Sequence, residues 1–398
     1  MPEPEVEHPR RRRVGATVGW FEMFYDLVVV AALGLCNEAF LSEPSIETAL
    51  SAVVSVAALA WVWFLTALFT NLFPGEDLVR RLLILLQMGC IVVAALAVNQ
   101  VNGLSNHTGL TAYGGALLVV GALFLQHRSK LANPRALHGG LLALAVSAAI
   151  CFVGVLRPIS EAGYFLTAAL AVSMISVLGV QNHQAKVGGT LRSEHLQERR
   201  GIFIIIILGE GFAQLVHALD DLGTIPRMSA FSLTFLLAFA LWWIYFDGTF
   251  SPREGHVIKR WRLSLLAHLT LIYGMGGTLD ILALLTARHE EHVGHDLLIY
   301  FAISIALVFC SFAVLGWTVN GRVGIAGWAQ IGSSAVIVAL AVLGSQGEEL
   351  SIRPVMAASS ALVIANAVFS VWSEHARESG SWRIAFRGIL KGGDTDDM

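Results

Sequence analysis

Apolar runs of about 20 residues recur along almost the whole chain, and no other feature limits its fold so strongly. A run of that length, coiled at about 1.5 Å per residue, crosses a bilayer core of about 30 Å. Hydrocarbon offers no partner to backbone N–H and C=O groups, so each run is expected to be a helix. Twelve spans are expected, near 20–41, 46–73, 82–102, 109–126, 139–156, 162–180, 201–219, 228–250, 263–287, 297–317, 326–344 and 355–373. The expected fold class is all-α: a polytopic integral membrane protein of about twelve transmembrane helices with no soluble domain. Charge content agrees, at 14% against about 25% in soluble domains.

The placement of charge says more than its sum of −3. Alternate connections, beginning with the N-terminal tail, hold 22 of the 26 Lys and Arg. The other set holds only Arg157, Arg227, Arg288 and Arg353. Positive charge stays on the cytoplasmic side, so both termini are expected in the cytoplasm. All ten prolines fall in tails or between the expected spans. A hinge would then have to use glycine, and YGMGG (273–277) is the best candidate. The basic stretch 10–13 before an apolar run resembles a signal peptide, but Glu22 and Asp26 spoil the apolar region and favour an uncleaved first span. Cys36, Cys90, Cys151 and Cys310 sit inside apolar runs without metal or redox spacing, which favours small core residues. RHEEHVGHD (288–296) has HxxH-type spacing, but no helix to hold a metal, so no metal site and no cofactor are expected. No basic groove with interleaved aromatics points to nucleic acid. The expected partners are the lipid bilayer and a small-molecule or lipid-soluble substrate, with the oligomeric state open. The C-terminal stretch 382–390 is weakly amphipathic and is expected on the cytoplasmic surface.

An internal echo appears at about 180 residues. WVWFLTALFTNLFPGEDLVRR and WWIYFDGTFSPREGHVIKRWR share a Trp-to-Arg spacing, Trp63 to Arg80 and Trp243 to Arg260. FEMFYDLVVV and QERRGIFIIII both place a glutamate ahead of an aliphatic run. Six spans apart, the halves would be parallel repeats. The expected organisation is a tail 1–19, a first half 20–180, a linker 181–200, a second half 201–373 and a tail 374–398.

Ionisable groups inside spans are expensive and must face one another or water. Glu22 and Asp26 are four residues apart on one helix face, with Asp26 about 9 Å in. Glu210 enters from the same side, about 14 Å deep by the same count. Arg199 shares its face, three turns earlier. His268 and, deeper, Asp280 lie in the ninth span; Asp247 lies one turn from Trp243 in the eighth. One polar cavity in the cytoplasmic half is expected, lined by the first, second, seventh, eighth and ninth spans. The cavity set is Glu22, Asp26, Glu198, Arg199, Glu210, Asp247, His268 and Asp280, with Asp26 and Glu210 the candidates for proton chemistry. Phe24, Tyr25, Trp63, Trp242, Trp243 and Tyr245 would form an aromatic lining. The competing interpretation makes Glu22, Glu198, Arg199 and Arg200 interfacial caps, the deeper groups a satisfied structural lock, and the aromatics interfacial anchors.

FEMFYDLVVVAAL (21–33) resembles the E-[LM]-F-[FY]-D-L-V opening of the bacterial low-temperature-requirement A (LtrA) family. HLQERRGIFIIIILGEGF (195–212) resembles that family's central H-x-x-E-R-x-G…L-G-E stretch. WWIYFD (242–247) and HLTLIYGMGG (268–277) match later segments more loosely. The resemblance marks Glu22, Phe24, Asp26, His195, Glu198, Arg199, Gly201, Gly209, Glu210, Trp243, Asp247 and His268; Arg200 departs from the usual apolar residue. It implies a multi-pass protein of the bacterial inner membrane and implies no reaction.

Three jobs fit these features. Twelve spans, short loops and intramembrane carboxylates suit a proton-linked transporter of a small solute, although PGEDLVRRLL lacks the loop signature of the major facilitator transporters. A carboxylic acid held protonated beside aromatics suits a metal-independent isoprenoid (terpene) cyclase, although no DDxxD, GxSxG or HExxH is present. A non-catalytic, stress-related membrane protein is the third.

Overall fold

The computed structural model describes residues 18–75, 77–98, 106–130, 137–184, 193–217, 225–249, 260–288, 295–344 and 352–378. The basic stretch 10–13, the surface stretch 382–390, and His289 and His292 lie outside the described residues. Among the described residues twelve α-helices follow one another: α1 (Trp20–Ser42), α2 (Ile46–Leu72), α3 (Leu78–Val98), α4 (His107–His127), α5 (His138–Val155), α6 (Ala162–Gln184), α7 (Ser193–His217), α8 (Ile225–Trp243), α9 (Trp261–Arg288), α10 (His295–Asn320), α11 (Ile325–Gly344) and α12 (Ile352–Glu378). Among the described residues nine helices are long and apolar enough to cross a membrane, and Ile159–Ile175, Phe231–Phe246 and Ala357–Ser370 are shorter apolar stretches. The chain is an all-helical, multi-pass membrane protein in contact with lipid.

Local chemistry sets the helix starts. Pro44 precedes α2, and Ser45 caps it reciprocally: Thr48 N–H donates to Ser45 Oγ at 3.2 Å, and Ser45 N–H to Thr48 Oγ1 at 3.1 Å. Asn106 accepts from Gly109 N–H at 2.6 Å and donates to Ala97 O at 2.6 Å, so it caps α4 while holding the end of α3. Pro226 and Pro354 sit in the first turns of α8 and α12, where a missing N–H costs nothing. α8 runs on into a π-helical stretch, Ile244–Thr249.

α2 is the central post: residues 58–71 are all buried, the mark of a helix surrounded by protein. Leu82, Leu85 and Leu86 on α3, and Leu142 and Val146 on α5, are exposed, as lipid-facing side chains should be. In the first half α1 packs on α2 and α3, α3 on α4, α4 on α5, α5 on α6, and α6 returns to α2. In the second half α7 packs on α8 and α9, α9 on α10, α10 on α11, α11 on α12, and α12 returns to α8. The neighbour order thus recurs six helices on. The halves meet where α1 and α2 face α7 and α9.

Two expectations change, the start of α7 and the role of YGMGG. α7 begins at Ser193, not 201, so His195, Glu198, Arg199 and Arg200 ride on the helix instead of in a linker. Their charges lower the local hydropathy, yet His195, Arg199 and Arg200 are partnered inside the bundle. The glycines of YGMGG are not a hinge: α9 is continuous through them. A Cβ on Gly274 would stand 2.7 Å from Ser304 O, and one on Gly277 would stand 2.9 Å from Ser304 Oγ. Gly274 lets α9 approach the backbone of α10, and Gly277 makes room for the Ser304 and Tyr300 side chains, the usual role of small residues between membrane helices.

Candidate functional site

The seam between the halves carries two layers of polar side chains. In the first, Asp26 of α1 is fully buried. Trp63 Nε1 of α2 donates to its Oδ1 at 2.7 Å, and Arg199 of α7 donates to Oδ1 through Nη2 at 2.8 Å and to Oδ2 through Nε at 3.2 Å. Arg199 Nη1 donates to Thr70 Oγ1 at 2.6 Å and lies 3.9 Å from Glu22 Oε1. His195 Nε2 stands 3.2 Å from Glu22 Oε2, and the guanidinium sits 5.7 Å from the Tyr25 ring centre. Tyr25 OH donates to Thr66 Oγ1 at 3.2 Å, and Thr66 lies 3.0 Å from Gln87 Oε1. A buried ion pair offsets its desolvation only when hydrogen bonds complete it. Here the indole and the threonine supply them, and the second carboxylate adds a charge 3.9 Å from Nη1.

The second layer lies further along the same helices. Asn37 Nδ2 donates to Asp280 Oδ2 at 2.6 Å, Tyr300 OH to Asn37 Oδ1 at 3.4 Å, and Tyr273 OH to Tyr300 OH at 2.9 Å. A cavity of about 30 Å³ opens beside them, lined by Gly34, Asn37, Glu210, Gly211, Tyr273 and Asp280 among others. That is room for a water or two. Glu210 Oε1 would lie 3.9 Å from a Cβ built on Gly34, so a larger residue at 34 would crowd the carboxylate.

Register fixes direction. Asp26 sits beside Arg199, and Gly34, further along α1, sits beside Glu210, further along α7. Asn37 sits beside Asp280 near the far end of α9. α1, α7 and α9 therefore run parallel, which requires an even number of crossings between each. Between the layers lie Val29, Val30, Phe203, Ile204, Leu271 and Ile272, all buried and apolar. By residue count the separation is roughly 12–16 Å.

The expected single cavity is thus divided. Glu22, Asp26, Arg199, Tyr25 and Trp63 come together in the first layer, Glu210 and Asp280 in the second. His268 joins neither: it lies beyond Trp63, its ring 6.3 Å from that indole and 6.2 Å from Tyr245. α8 was expected to line the carboxylates; its continuation instead brings Tyr245 to the His268 side. Phe24 and Trp242 are exposed on the outer surface and line none of the cavities among the described residues. Trp243 packs edge-on against Phe239 of its own helix. Glu198 is half-buried and joins none of these pairs. Asp247 falls in the π-helical stretch, with its side chain outside the described residues. No group of three or more His, Cys, Asp or Glu arranged to hold a metal occurs among the described residues.

Reading for charge alone misses Asn37, Thr66, Thr70, Gln87, Tyr273 and Tyr300. A signal existed for some: Asn37 is eleven residues, three turns, from Asp26, and Thr66 and Thr70 follow Trp63 at helical spacing.

The family model described as bacterial low temperature requirement A protein (LtrA) matches residues 17–373. The chain belongs to the LtrA family. The match covers both layers of this LtrA-family protein and all twelve helices up to residue 373. An uncharacterized protein of Rhizobium meliloti (strain 1021) is 28% identical over 262 residues, 62% of this chain and 63% of that protein. The matched region therefore spans less than two thirds of that relative.

Proposed function

We propose that this LtrA-family protein is a proton-linked transporter of a small solute in the bacterial inner membrane, with both termini in the cytoplasm. The observation that carries this reading is the pair of polar layers on the α1–α7–α9 seam. Each holds carboxylates beside polar groups able to pass or hold a proton: Glu22 and His195 in one, Glu210 and Asp280 at a water-sized cavity in the other. Transporters place coupling groups where two halves meet. The recurring neighbour order supports treating residues 20–180 and 201–373 as parallel repeats that move against one another. A cavity of about 30 Å³ is far below the roughly 300 Å³ of a small-molecule pocket. At this cavity the seam is therefore closed to a solute, and entry there requires it to part. The cyclase alternative gains no support here: the rings of Trp63 and Tyr245 pack on Phe203, His268 and Phe312 instead of facing a substrate-sized space.

The test is solute-dependent proton flux in proteoliposomes carrying an internal pH dye, across a panel of small solutes. Wild-type protein is expected to acidify or alkalinise the lumen with at least one solute, and Glu210→Gln to abolish that response. Unaltered flux in Glu210→Gln, or silence across the panel, overturns the reading.

A further inference from the structure

Arg200 and His268 remain once the two layers are accounted for. They are 7% and 1% exposed. Arg200 adjoins Arg199 on α7 but points to α9, where its Nη1 donates to Ser264 Oγ at 3.2 Å. Among the described residues no carboxylate lies within ion-pair distance of it. His268 stands four residues from Ser264, one turn along the same face of α9. Its Nε2 is buried without a hydrogen-bond partner. Arg200 is near enough to act electrostatically on both His268 and Tyr245.

A guanidinium offers five N–H donors in a planar fork, and among the described residues Arg200 uses one, on a neutral hydroxyl. Burying a cation with no counter-charge is among the costliest arrangements in a protein, and more so within a membrane. Asp26 does not serve, because Arg199 and Trp63 already hold it. We propose that Arg200, Ser264 and His268 form a binding site for a small anion, of chloride or formate size. The anion lies on the open edge of the guanidinium fork and accepts a hydrogen bond from His268 in its Nε2–H tautomer. Ser264 orients the fork. A lipid headgroup phosphate presents the same chemistry, so the source is decided by experiment. Binding here is independent of the transport reading and survives even if no flux is found.

The test is thermal unfolding of the full chain in lipid-free detergent, with sodium chloride or formate replacing sodium gluconate at constant ionic strength. The midpoint is expected to rise and saturate for wild type. The rise should be absent in Arg200→Gln and weaker in His268→Asn. Retention of radiolabelled chloride by wild-type protein, competed by formate, gives a readout that needs no variant to fold. A rise that requires added phosphatidylglycerol and is lost in Arg200→Gln assigns the anion to a lipid headgroup. No anion dependence in either arm together with no retained chloride, or an equal rise in Arg200→Gln, overturns the proposal.

Discussion

Replacing Asp26 with Asn isolates the electrostatic part of the first layer. The amide keeps the shape of the carboxylate, and its oxygen still accepts from Trp63 Nε1, a bond of 2.7 Å in the native protein. What it loses is the charge opposite Arg199, whose Nη2 stands 2.8 Å away and which is 1% exposed. Breaking a buried pair from one side costs about 3–5 kcal/mol, because the remaining charge is stranded. Glu22 stays 3.9 Å from Nη1, and Thr70 keeps its bond, so the lower end applies. A loss of about 3 kcal/mol lowers the folded-to-unfolded ratio by roughly two orders of magnitude. Asp26→Asn combined with Arg199→Gln removes both charges and should recover about 2 kcal/mol relative to additivity. The assay is reversible unfolding in mixed detergent and dodecyl sulfate micelles, followed by tryptophan fluorescence, for wild type, both single variants and the double. Two single costs below about 1 kcal/mol that simply add would refute the account of a desolvated, mutually dependent pair.

Gly274→Ala should force α9 from α10, since its Cβ would stand 2.7 Å from a backbone oxygen, with a cost of about 1–3 kcal/mol in the same assay. Gly276→Ala, with nothing within 4 Å of the added carbon, should be tolerated. In the turn before α3, Asp77 Oδ1 accepts from Arg80 N–H at 2.8 Å, and that bond, with His127 nearby, holds the carboxyl below its usual range. Because the folded value is depressed, its contribution is complete above the ordinary value of about 3.9 and fades as pH falls through the folded one. Hydrogen exchange at Arg80, corrected for intrinsic rate, should therefore accelerate on acidification in wild type, and Asp77→Asn should flatten that dependence.

How much was legible follows from what each signal averages over. Long apolar runs announce helices because a bilayer accepts little else, so the order of twelve helices was readable. The start of α7 was not. Hydropathy scores Glu198, Arg199 and Arg200 as loop residues, whereas tertiary partners such as Asp26 and Ser264 carry the two arginines into the bundle. The charged members of the site were found because charge in hydrocarbon is conspicuous. Their neutral partners were not, since Thr70 and Asn37 are unremarkable in a membrane helix until a guanidinium or carboxylate is placed against them. The single cavity failed because helix-face arithmetic gives azimuth but not which level of a neighbour is reached. Arg199 and Glu210 both face α1, yet three turns apart they meet different residues of it. YGMGG misled for a related reason: glycine serves closeness as readily as bending, and only the position of Ser304 tells the two apart.

The oily belt of Val30, Phe203 and Ile272 sets the two polar layers apart with buried apolar side chains. Protons hop along links of under about 3 Å, and no such chain threads a dry gap several times that length. On the transport reading proposed above, a proton passing between the layers requires water to wet this belt first.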